Sequence, residues 1–98
     1  MKKLLTLTLA LTLIVGLTLA GNAAEITIKF ADTVAPDHPN HKAAVRFAEI
    51  VEEETDGRVQ VDTFPAAQLG NEKELIEGTM MGTIDMFQVS PGALSLFQ

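Results

Sequence analysis

The start of the chain decides how much of it is free to form a domain. Met1-Lys2-Lys3 is basic, and from Leu4 to Ala24 no residue carries a charge. Leu, Thr, Ile and Val fill most of that stretch, and Ala20, Gly21, Asn22, Ala23 and Ala24 close it with small residues. This is the order of a secretory signal peptide: a basic region, an apolar region and a cleavage site. Cutting after Ala23 puts Gly21 at −3. Cutting after Ala24 would put the larger Asn22 there and ranks second. The chain has no Cys, so a lipoprotein anchor is excluded. The alternative is an uncleaved helix that anchors an exported interaction domain. The stretch is just long enough to span a bilayer. Against that reading, Thr6, Thr8, Thr12 and Thr18 dilute it, and no basic stop-transfer cluster follows. Both readings export the remainder.

That remainder, residues 24–98, is one small domain at most. Losing Lys2 and Lys3 but no acidic residue takes the formal charge from −6 for the whole chain to −8. Such an acidic segment does not bind nucleic acid, whose affinity rests on Lys and Arg at phosphates. The absence of Cys also excludes a disulfide framework and thiolate metal sites.

The hydrophobic pattern switches period along the segment. Glu25 to Ala31 alternates, with Ile26, Ile28 and Phe30 on one face, and reads as a strand. Asp32 to Pro39 is a loop. Asn40 is placed to cap a helix running to about Thr55, with Ala44, Phe47, Ala48 and Val51 on its apolar stripe. Gly57 suits the left-handed position after it. Arg58 to Phe64 alternates again and Pro65 ends it. After the loop Ala66 to Gly70, Asn71 with Glu74 forms a capping box. The second helix carries Leu75, Ile76, Thr79 and Met80 and stops at Gly82. Thr83 to Val89 is a third strand, apolar on both faces, as in a strand covered on both sides. Ser90-Pro91-Gly92 breaks it. The order β-α-β-α-β with short connections predicts an α/β fold, the opening part of an open parallel sheet with right-handed crossovers. The apolar tail from Ala93 to Gln98 lacks a terminating signal, so the lobe is expected to be truncated.

The chemistry-bearing motifs are sparse. His38 and His41 have a spacing that metal ligands use on a helix, but Pro39 separates them and no third ligand is near in sequence. No metal is expected. Gly78 and Gly82 match a membrane-dimer spacing, but charged flanks remove that reading, and Gly78 is expected to permit close helix–sheet packing. Ser90 and Gly92 are half of a nucleophile elbow without its first Gly or a following His. No catalytic set can be assembled, so an enzyme is not expected. What remains is the group of loops at the strand C-terminal ends, where open α/β sheets bind ligands.

Four blocks in order carry a family resemblance: Ile28-Lys-Phe-Ala31 with its Pro-containing loop, Arg46 to Val61, Phe64-Pro-Ala-Ala-Gln-Leu-Gly70, and Gly82-Thr-Ile-Asp-Met86. They resemble the periplasmic solute-binding subunit of tripartite ATP-independent periplasmic (TRAP) transporters, the DctP type. The resemblance implies the first lobe of a two-lobe periplasmic binding protein. It implies capture of a dicarboxylate or related small organic acid, no cofactor, and delivery to membrane permease subunits for ion-gradient-driven import. First-lobe contacts of that family fall here on Thr33, Asn71, Val89 and Ser90. The family's carboxylate-clamping Arg lies later in its sequence, and neither Arg46 nor Arg58 matches it. Exported chain should begin at Ala24, which N-terminal sequencing or intact mass of secreted material checks. Retention of Met1 in a membrane fraction would contradict cleavage.

Overall fold

A computed structural model describes residues 23–98. The expected signal peptide and its anchor alternative lie almost wholly outside the described residues. Ala23 and Ala24 at its end have no regular secondary structure. Among the described residues, no helix is long and apolar enough to cross a membrane.

Strand β1 (Ile26–Ala31) leads through helix α1 (Pro39–Glu54) to β2 (Val59–Phe64). Helix α2 (Glu72–Met81) then returns the chain to β3 (Met86–Phe87), and a short α3 (Pro91–Leu94) and a 3₁₀ turn (Ser95–Phe97) follow. The sheet order is β2-β1-β3, and both pairings are parallel. Ile26 faces Val59 and Ala31 faces Phe64 on one side, while Phe30 and Ala31 face Met86 and Phe87 on the other. The first crossover moves from the central strand β1 out to β2, and the second runs in the opposite direction, from β2 past β1 to β3. Crossovers of one hand then place their helices on opposite faces.

The period-2 alternation of β1 feeds those two faces. Phe30 packs with Ala44, Ala48 and Val61, with Ile28, Val51 and Met86 around them. Its ring meets Phe47 edge-on at 5.8 Å between centroids. Ala31, fully buried, packs on the other face with Leu75 and Ile84, bordered by Phe64, Leu69, Phe87 and Val89. A small residue at position 31 lets Leu75 lie directly against the strand.

Several local expectations change. His38, not Asn40, caps α1: its Nδ1 accepts the Asn40 N–H at 3.1 Å, and Pro39 opens the helix. Pro suits that position because its missing N–H has no intrahelical partner there anyway. At the other end, Asp56 (φ 52°) takes the first left-handed position and Gly57 (φ 75°) the second. The Gly57 N–H reaches Glu52 O at 2.8 Å and the Asp56 N–H reaches Glu53 O at 3.2 Å, a Schellman closure shifted by one residue. The buried face of α1 is His41, Ala44 and Ala48, with Phe47 at the rim. Met80 is exposed, and Gly78 takes the place in the α2 face beside Leu75 and Ile76.

The third strand is shorter than the apolar run. Gly78 O accepts the N–H groups of both Thr83 (2.9 Å) and Ile84 (3.3 Å), which uses the start of the run to close α2. Asp85 then joins β1 from both sides. Its N–H donates to Lys29 O at 3.2 Å, and its Oδ2 accepts the Lys29 N–H at 2.8 Å. Met86 and Phe87 still face opposite cores, so the two-sided reading of the strand stands. Pro91-Gly92 does not simply break the chain but starts α3, whose Ala93 is buried.

Gly78 allows the close approach that its position suggests. A Cβ there would lie 2.8 Å from Ile84 Cδ1, 3.0 Å from Thr83 Oγ1 and 3.2 Å from Ile84 Cγ1. Gly78→Val should therefore cost about 1–3 kcal/mol by overpacking. Denaturant titration beside the parent protein measures it, and an unchanged midpoint would show that the contact yields.

Candidate ligand-binding cleft

The C-terminal end of β1 is fixed by a residue that composition and spacing do not single out. Asp32, 2% exposed, follows the strand and uses every polar group it has. Its N–H donates to Phe64 O at 3.0 Å and its carbonyl accepts the Ala67 N–H at 3.2 Å. Oδ1 accepts the Val34 N–H at 3.1 Å, and Oδ2 lies 2.7 Å from Nδ1 of buried His41. A carboxylate only accepts, so Nδ1 carries the proton of that bond. Thr33 and Val34 are held from beneath by this arrangement.

The loop after β2 is drawn to the same place. Ala66 and Ala67 both have φ of 57°. That backbone costs a non-glycine residue roughly 1–2 kcal/mol. It turns the Ala66 N–H to Val34 O (2.8 Å) and the Ala67 N–H to Asp32 O. Gly70, at φ 128°, ends the turn, and a Cβ there would sit 2.7 Å from the Cβ of Glu74. Glu74 must come that close because it completes the capping box. Its Oε1 accepts the Asn71 N–H at 3.2 Å, while its own N–H donates to Asn71 Oδ1 at 2.9 Å. The aromatic-Pro-x-x-Gln-Leu-Gly block thus has a mechanical explanation. It lays a turn on the end of β1 and starts α2 at once.

Two concavities open at this end of the sheet. One, of about 360 Å³, is lined by Asp32, Thr33, Val34, His38 and Asn40 from the β1 side, and by Glu72 and Gln88 to Pro91 from the other. The second, of about 350 Å³, is lined by Thr33, Ala67, Asn71, Glu72 and Lys73. Thr33 and Glu72 border both. The structure brings the four sequence-predicted residues to this end: Val89 and Ser90 in the first concavity, Asn71 in the second, Thr33 between them. Asn71 Oδ1 is committed to the cap, so its amide NH₂ is the group left for a ligand.

Sequence reasoning did not reach Glu72. Its Oε1 accepts the Ser90 N–H at 2.8 Å and its Oε2 accepts the Ser90 hydroxyl at 3.0 Å. The carboxylate joins the first turn of α2 to the start of α3, where the helix dipole favours a negative charge. Ser90 therefore spends its hydroxyl proton on Glu72 and keeps its oxygen lone pairs. The His pair is also resolved. His38 Nδ1 serves the α1 cap and His41 Nδ1 serves Asp32. Among the described residues, no group of three His, Cys, Asp or Glu could hold a metal.

An open parallel sheet with a helix layer on each face, and its concavities beyond the strand C-termini, is the ligand-binding α/β class. The family model for bacterial extracellular solute-binding proteins, family 7 (DctP), matches residues 30–98, and the chain belongs to that family. It is 38% identical over 81 residues to the C4-dicarboxylate-binding periplasmic protein DctP of Rhodobacter capsulatus, covering 83% of this chain and 24% of that protein. A TRAP periplasmic solute-binding protein of Roseobacter denitrificans, solved with bound L-galactonate, superposes with a TM-score of 0.64. It shares 40% identity, over 66% of this chain and 22% of that one. A TRAP protein of Sulfurospirillum deleyianum with bound succinate gives a TM-score of 0.60 at 39% identity, over 62% and 20%. The chain spans between a fifth and a quarter of the length of these relatives.

Asp32→Ala should strip His41 of its partner and release both loops, at a cost of about 3–5 kcal/mol. Asp32→Asn, which can still accept, should cost less. Equilibrium unfolding of the two variants checks the order, and equal losses would mean that a neutral acceptor adds nothing and the carboxylate charge carries the whole effect.

Proposed function

We propose that residues 24–98 are the opening part of the first lobe of a periplasmic receptor, exported by removal of residues 1–23. The receptor captures a small organic acid and presents it to the membrane permease subunits of a TRAP-type transporter for ion-gradient-driven import. The observation that carries this reading is the pair of adjoining concavities at the strand C-terminal ends, in a chain that belongs to the family 7 solute-binding proteins. Relatives solved with L-galactonate and with succinate support a carboxylate as the ligand class.

In this mechanism the first lobe supplies the floor of the cleft. Thr33 offers a hydroxyl, Asn71 an amide, Val89 an apolar wall and Ser90 its oxygen. The ligand's carboxylate is held by an Arg from the later part of the receptor. Groups on both lobes then make the closed state the tighter-binding one, so that ligand drives a hinge closure. The receptor uses no cofactor and performs no catalysis.

Asn71→Asp separates a capping role from a binding role. Asp is as good an N-cap as Asn, so a thermal melt should be unchanged. The added negative charge beside an anionic ligand should weaken binding about tenfold, or 1.4 kcal/mol. Titration calorimetry of the complete receptor with L-galactonate and with succinate makes the measurement. Unchanged affinity at unchanged stability would remove Asn71 from the site.

A further inference from the structure

We infer that Glu72 is a specificity-determining residue that turns this end of the cleft toward ligand hydroxyl groups and away from a second carboxylate. The inference rests on the receptor function proposed above and narrows its substrate to hydroxylated monocarboxylates.

The first concavity is lined by two carboxylates, Asp32 and Glu72, and by no Lys or Arg. Asp32 accepts from Val34 and His41 and is 2% exposed, so little of its carboxylate faces the space. Glu72 is half-buried and only half used. Its two oxygens have about four lone-pair sites. Ser90 fills two of them, one through its N–H and one through its hydroxyl. The others remain to accept. Ser90 is thereby fixed in direction, since its hydroxyl proton already points at Glu72. Gln88 Oε1, in the same lining, is a buried acceptor without a partner among the described residues. His38 Nδ1 accepts the Asn40 N–H and is spent on the α1 cap.

This inventory is rich in acceptors and, among the described residues, holds no Lys or Arg. A ligand carboxylate placed here would meet the like charge of Glu72 with no Lys or Arg of this lining to offset it. A ligand hydroxyl would donate to Glu72 and complete its hydrogen bonding. Glu72 is half-buried, and a ligand that covers it without offering a hydroxyl leaves its remaining acceptor sites unpaired. The bidentate hold by Ser90 makes the discrimination rigid, since the carboxylate cannot rotate away without losing both bonds. Lys73 lines the adjoining concavity and not this one.

The test is titration calorimetry on the complete receptor at neutral pH, with L-galactonate as the hydroxylated monocarboxylate and succinate as the dicarboxylate. L-galactonate should bind at least about tenfold more tightly. Glu72→Gln keeps the shape and can accept the Ser90 N–H through its oxygen, with its NH₂ donating to the Ser90 oxygen in place of the second bond, and it removes the charge. It should reduce the preference about tenfold, with succinate gaining affinity in absolute terms. Tighter binding of succinate by the parent receptor overturns the inference and needs no variant to do so. A Glu72→Gln receptor of unchanged preference also overturns it and leaves Glu72 as a brace for the Ser90 turn. Failure of both acids to bind overturns the receptor function with it, whereas a preference for succinate overturns this inference alone.

Discussion

The cleft depends on one buried carboxylate. Asp32 sits where the central strand ends, and through four hydrogen bonds it ties together β1, the loop after β2, its own loop and the first turn of α1. Taking a charge out of water is costly unless hydrogen bonds and a partner compensate it. Asp32 has both. The expense is localised at the place where three segments must hold a fixed relation to one another. An apolar residue at position 32 could fill the space but could not accept the Val34 N–H. The Thr33 backbone would then lose the support that sets its direction.

The layers around this point follow from two adjacent residues. Phe30 points to the α1 face and Ala31 to the α2 face, and each has its own small core. Their difference in size is matched by the helices. Ala44 and Ala48 let α1 approach the large Phe30, while Leu75 reaches the small Ala31 from α2. Complementary volumes on both faces set the distance of each helix from the sheet. That distance determines where His41 meets Asp32, and where the first turn of α2 brings Glu72 to Ser90.

Much of this was readable in the chain. Alternation in Glu25 to Ala31 and the 3.6-residue stripe with its capping box at Asn71 and Glu74 report local physics, so the elements, their order and the second helix start followed from them. The same local rules failed where two signals competed. Asn40 is a good capping residue, but Pro39 fixes the backbone one step earlier and hands the cap to His38. Thr83 and Ile84 look like strand, but closing α2 on Gly78 O consumes them. The candidate site divided along the same line. Thr33, Asn71, Val89 and Ser90 follow from their place after strands and from family likeness. Glu72 and His41 act through partners 18 and 9 residues away, and no periodicity encodes such a pairing.

The site's polarity also bears on how a receptor of the proposed kind would divide its ligand between lobes. Residues 24–98 carry a surplus of negative charge, and the cleft they line holds carboxylates whose lone pairs are already half spent on structure. A surface like this orients a ligand through directional acceptors and has little net attraction for an anion. Attraction supplied by a cation from outside this segment would be felt only when the cleft closes over the ligand. Coulomb energy rises as water leaves the space between the charges. Binding energy would then be concentrated in the closed state, and that is the condition for a ligand to shift a hinge equilibrium. A first lobe with its own strong cation would hold the anion in the open state as well, and would weaken the coupling between occupancy and closure.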